Sequence, residues 1–154
     1  MLEVECGFDS DYYRTAQDEL ELSGPTLSIR VEQVGRIVSA ERKSGPCDAL
    51  VDTGADKSCI DIDLAKKLEL EICDSQTVNG VHGPQQTNYY AALIDIPGLS
   101  YVRIMHLAGL PLARSSFPHE FLIGRDLLRW FVLIYEGDTG RVVIRRRSQA
   151  EGER

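Results

Sequence analysis

The sequence predicts an all-β fold closed into a barrel, with one or two short helices. Three observations predict it. Short apolar–polar alternations recur between closely spaced turn residues, and at most two segments read as short helices. The 154 residues, 43% of them hydrophobic, suffice for one domain with its own core.

Residues 1–24 read as an acidic N-terminal arm, either disordered or laid over a sheet edge, with Thr15 to Leu22 able to form a helical turn or two. Gly24-Pro25 breaks the chain, so the domain is placed at 25–147, followed by a polar C-terminal tail at 148–154. Thr26 to Glu32 alternates with period two and predicts a strand with Leu27, Ile29 and Val31 inward. Val34 to Ala40 offers a second strand, and Glu41 to Pro46 reads as a polar turn. Asp48 to Val51 is the next strand.

Ser58 to Ile62 is a short apolar-polar stretch, after which Asp61 or Asp63 can cap a short helix carrying Leu64, Ala65 and Leu68. Thr77 to Ile96 predicts a hairpin with Gly80 and Gly83 at its tip and Tyr90, Ala92, Ile94 and Ile96 alternating on the return strand. Tyr101 to Leu107 is a strand and Pro111 to Glu120 a loop. Glu120 to Ile123 is a strand into Gly124, and Arg125 to Trp130 a short helix with Leu127, Leu128 and Trp130 available to the core. Phe131 to Tyr135 and Arg141 to Ile144 form a last hairpin. Arg145-Arg146-Arg147 reads as a solvated, mobile end.

The chemistry concentrates at Leu50-Val51-Asp52-Thr53-Gly54-Ala55-Asp56. A carboxylate delivered by an apolar strand is costly to bury without hydrogen bonds, a paired charge or a shared proton. Gly54 supplies backbone freedom for a tight loop, and the loop supplies amides. That arrangement suits a catalytic aspartate.

This heptapeptide resembles the active-site loop of the retropepsins, the retroviral-type aspartic proteases. Phe121-Leu122-Ile123-Gly124-Arg125-Asp126-Leu127-Leu128 is similar to that family's apolar-apolar-Gly-Arg stretch and the helix after it. Between them, Thr77-Val78-Asn79-Gly80-Val81-His82-Gly83 is similar to the glycine-rich flap, although His82 and Pro84 depart from its usual tip. The three elements stand in the family's order and span roughly Thr26 to Phe131.

The resemblance implies an aspartic endopeptidase acting on peptide or protein substrates without a cofactor or metal. Asp52 would be catalytic, with Thr53, Gly54 and Ala55 completing the loop. Gly54, Asp56, Gly80 and Val81 would meet the substrate main chain, and Asp56 would form a structural ion pair with Arg125. One aspartate cannot serve as both base and acid, whereas two close carboxyls sharing a proton can.

A second Asp-Thr-Gly stands at Asp138-Thr139-Gly140, but Glu136-Gly137 precede it where an active-site strand needs apolar residues. The chain is also about half the length that two such lobes need. A homodimer therefore supplies the second Asp52, and the resemblance implies that Thr53 hydrogen-bonds across it. The hairpin from Phe131 to Ile144 is expected to provide the dimer sheet. The rival reading is a catalytically weak peptide-binding or dimerisation module with the same fold.

A net charge of −7 argues against nucleic acid or an anionic membrane as main partner. Cys6, Cys47, Cys59 and Cys73 show no C-x-x-C pair and read as reduced thiols. The acidic start, Met1-Leu2-Glu3-Val4-Glu5, lacks the pattern of a secretory signal, so a cytoplasmic protein is expected.

Overall fold

The computed structural model describes residues 1–8, 15–35, 44–80, 83–115 and 118–147. In chain order it comprises β1 (Leu2–Glu5), α1 (Ala16–Leu22), β2 (Thr26–Glu32), β3 (Ser44–Val51), β4 (Cys59–Asp61) and α2 (Ile62–Lys67). Then follow β5 (Glu71–Gly80), β6 (Gly83–Ile96), β7 (Tyr101–Leu110), β8 (Phe121–Ile123), α3 (Arg125–Leu128), β9 (Val132–Glu136) and β10 (Arg141–Arg146). No helix among the described residues is long and apolar enough to cross a membrane.

Six strands close a barrel in the order β2-β3-β8-β4-β7-β6, and the β6–β2 pairing from Arg30↔Asp95 to Glu32↔Leu93 completes the circle. Strand alternation does the sorting, as expected. Leu27, Ile29 and Val31 are 2%, 1% and 0% exposed, so the inward face of β2 is the predicted one. Tyr90, Ala92, Ile94 and Ile96 of β6 are likewise buried, beside Phe121, Ile123 and Leu127. β5 continues outward from β6 as a hairpin from Glu71↔Ala91 to Gly80↔Gly83.

Several expectations are corrected. Ser44, Gly45 and Pro46 belong to β3, opposite Glu32, Val31 and Arg30, and form no turn. Pro46 fits because β3 pairs there with β2 alone, since β8 joins it only at Leu50 and Val51. Residues 36–43, which carry most of the expected second strand and the start of that turn, lie outside the described residues. Trp130 lies beyond α3 and is 48% exposed, so it is not a core residue.

Of the two readings of the N-terminal stretch, disordered or laid over a sheet edge, Leu2 to Glu5 follow the second. β1 pairs with β10 from Leu2↔Arg146 to Glu5↔Val143, and Gly7 bridges Thr26. Helix α1 is closed by a capping box in which Thr15 and Asp18 exchange hydrogen bonds, and it buries Leu20 in the core. Among the described residues there are thus three short α-helices, the first within the stretch expected to form a helical turn or two. The arginines after Ile144 are no loose tail either: Arg145 pairs with Glu3 at 3.0 Å, and Arg146 donates to the carbonyls of Leu99 and Ser100.

Candidate active site

β3 carries the site. It is antiparallel to β2 and, at its end, parallel to β8, with Leu50 opposite Leu122 and Val51 opposite Ile123. Two strands therefore hold the chain on either side just before it turns. The Val51 amide donates to the Pro25 carbonyl at 2.9 Å and the Asp52 amide to the Ile123 carbonyl at 2.9 Å. Asp52 is half-buried at the point where both ladders stop.

The loop closes on the aspartate itself. The Gly54 amide donates to Asp52 Oδ1 at 2.8 Å, and the Ala55 amide to the Asp52 carbonyl at 3.3 Å. A side chain at 54 would crowd that carboxylate, because a Cβ there would sit 3.0 Å from Oδ1. The tripeptide thus holds its half-buried carboxylate by one local amide, that of Gly54.

α3 then clamps the loop from below. The Arg125 amide donates to the Ala55 carbonyl at 2.9 Å and the Asp126 amide to the Asp56 carbonyl at 3.2 Å. Arg125 Nη1 donates to the Thr53 carbonyl at 2.8 Å. This corrects the expected ion pair. Asp56 and Arg125 are both exposed, and among the described residues they form no salt bridge with each other. A guanidinium on a backbone carbonyl fixes the same loop through a charged donor rather than through charge pairing.

The sequence reading missed the buried half of the clamp. Ser58 is fully buried, and its hydroxyl donates to Asp126 Oδ1 at 2.6 Å while accepting from the Gly124 amide at 3.0 Å. The Ser58 and Leu127 amides donate to the same Oδ1 at 2.9 and 2.8 Å. Gly124 is required here because a Cβ would lie 2.6 Å from the Lys57 carbonyl carbon and oxygen. The available signal was a polar Ser58 just before the buried Cys59 and Ile60, which had to find a partner.

The Cys59 thiol beside this loop is pushed up to about 11, first by burial and then by the carboxylates of Asp126, Asp56 and Asp52. It stays protonated at neutral pH and is no nucleophile. Gly80 pairs with Gly83 at the end of the β5–β6 hairpin, and Val81 and His82 lie outside the described residues. Among the described residues no group of three His, Cys, Asp or Glu side chains is placed to hold a metal ion.

Residues 38–125, more than half of the chain, match the aspartyl protease family. The chain belongs to that family. The match spans the Asp52 loop, the β5–β6 hairpin and Gly124-Arg125, which agrees with the resemblance to retropepsins read from the motifs. Among solved structures, the chain is similar to the simian foamy virus (mac) protease at 14% identity and a TM-score of 0.48, over 68% of this chain and 92% of that one. It is similar to the EIAV protease in complex with the inhibitor HBY-793 at 19% identity and a TM-score of 0.44, covering 79% and 91% respectively. The retroviral protease-like domain of Ddi1 from Leishmania major aligns at 11% identity and a TM-score of 0.45, covering 82% and 97%. No curated protein matches significantly.

Asp138-Thr139-Gly140, the other copy of the tripeptide, lies in the β9–β10 turn as expected. Asp138 is exposed, and the Thr139 amide donates to the Glu136 carbonyl at 3.3 Å.

Proposed function

We propose that this aspartyl protease family member is an endopeptidase that works as a homodimer, with Asp52 of each chain activating water for attack on an extended peptide. The observation that carries the reading is the Asp52 loop, where an apolar strand delivers a carboxylate held by the Gly54 amide at 2.8 Å. Two such carboxyls close together cannot both ionise, so one acts as base and the other as acid. Thr53, exposed on the loop, is the residue expected to hydrogen-bond between the chains. Gly54, Asp56, Gly80 and Val81 would bind substrate main chain, and the β5–β6 hairpin would close over it as a flap.

The dimer sheet is assigned to the C-terminal hairpin. β10 is occupied on both sides by β1 and β9, while β9 is an outer strand of that sheet, and an open edge is where another strand adds. An obligate contact of this kind buries roughly 2,000 Å² or more. The free thiols of Cys6, Cys47, Cys59 and Cys73 suit a reducing compartment, and the proposed location is the cytoplasm.

The test is a mixed peptide library incubated with wild type and with Asp52→Asn, each checked by sedimentation. Cleavage by a wild-type dimer and none by Asp52→Asn is the expected result. A dimer that binds peptides and cleaves none would establish the binding-module reading instead, and a fully active monomer would overturn the shared site.

A further inference from the structure

Beyond the Asp52 loop, α3 reaches a second feature. Past its last turn, a pocket of about 660 Å³ is lined by Arg103, Arg129, Arg146 and Arg147 with Trp130 and Tyr101. The Arg103 guanidinium lies 4.4 Å and that of Arg129 5.4 Å from the Trp130 ring centroid. Arg146 lies 5.3 Å from the Tyr101 ring, fastened by the Leu99 and Ser100 carbonyls. Tyr101 is itself held edge-on by Phe131, with centroids 4.9 Å apart.

The chain carries seven more acidic than basic residues, yet four arginines gather here. Three arginines outside the pocket are matched: Arg114 binds Asp63, Arg141 binds Glu5 and Glu136, and Arg145 binds Glu3. Among the described residues, none of the four pocket arginines forms an ion pair. Like charges crowded without counter-charge oppose folding, and the aromatic rings offset this only in part. A guanidinium stacked on a ring uses its face and keeps its in-plane N–H donors for a planar oxygen ligand. Forks of this kind around two aromatic rings suit an anion presenting several carboxylate-like groups.

We propose that this pocket is an exosite for an acidic segment of a polypeptide, whose Asp and Glu side chains bind the arginine forks around Trp130. A short acidic peptide concentrates its charge within the pocket. A polynucleotide runs on past it, over a surface whose net charge repels it. The site is separate from Asp52, so it can be tested whether or not the chain cleaves peptides.

Trp130 is the chain's single tryptophan, so intrinsic fluorescence reads this pocket directly. A short peptide of alternating Glu and Asp, titrated at low ionic strength, should give a saturable change in emission in wild type and in Asp52→Asn alike. Raising the salt should weaken it. Arg103→Gln combined with Arg129→Gln should lower the affinity about tenfold or more. Arg114→Gln, which alters an exposed arginine already bonded to Asp63, should leave it unchanged. The proposal fails if emission does not respond, if a Gln/Asn peptide of equal length gives the same response, or if Arg114→Gln weakens binding as much as the pocket variant. A single-stranded oligonucleotide that binds more tightly than the peptide would overturn it in favour of nucleic acid.

Discussion

The molecule writes the same tripeptide twice and uses it in two ways. Asp52-Thr53-Gly54 follows an apolar strand fixed by a neighbour on each side, and its carboxylate takes the Gly54 amide. Asp138-Thr139-Gly140 follows Glu136-Gly137 in an exposed turn, and its working part is the glycine. Gly140 has φ of +72°, and a Cβ there would lie 2.2 Å from the Ala16 carbonyl carbon. It lets the last hairpin sit against the start of α1. What a short motif does is therefore set by the residues that precede it and by what packs on it.

The widest separation is expected between the two aspartates. Asp52→Asn should lower kcat/KM on a cleaved peptide on the order of 10²–10⁴-fold, the usual share of general acid–base catalysis. Asp138→Asn should leave it unchanged, and equal losses in a peptide assay would break the comparison.

The glycines should reverse the ranking. Gly140→Ala should cost more than about 1 kcal/mol of stability, because it adds a side chain at positive φ against backbone. Activity per folded molecule should hold, as active-site titration beside thermal melting would show.

A smaller effect concerns the clamp that only the first copy has. Arg125→Ala removes a charged donor from the Thr53 carbonyl. The side chain is exposed, so the loss should be about 1 kcal/mol, or a fall in Tm of about 2–4 °C. Asp56→Ala should shift the Tm of the single chain far less, and equal shifts would restore the ion pair.

The smallest effect is on the pH profile. Ala55 has no side-chain donor for Asp52. Ala55→Ser adds a hydroxyl that favours the charged carboxylate, so the acid limb of kcat/KM should move to lower pH. A profile that does not move would mean that residue 55 does not reach the carboxylate.

Much of this was legible in the chain because its signals are local. Alternation in Thr26 to Glu32, the glycines around the β5–β6 tip, and the apolar lead into Asp52 each lie within a few residues of the feature they specify. The misses are long-range. Leu2 to Glu5 looks like any acidic stretch until Val143 to Arg146 lies beside it. Ser58 and Asp126 are unremarkable apart and form the buried clamp only when β4 meets β8. Pro46 marks a turn by propensity, but an unpaired edge let it stay in a strand. The resemblance implies a pair between Arg125 and Asp56, whereas the Thr53 carbonyl takes the guanidinium.

The β1–β10 pairing also sets an order of events. During synthesis β1 is made almost a full chain length before β10, its strand partner. At about 5–20 residues per second it waits roughly 7–30 s, with Val4 and Cys6 not yet covered. The closing contact then spans a very long loop, a costly closure in entropy and a feature of slow folders. β1 should be among the last strands of this fold to become protected from hydrogen exchange, and until then it is an open edge to any other unfinished chain nearby.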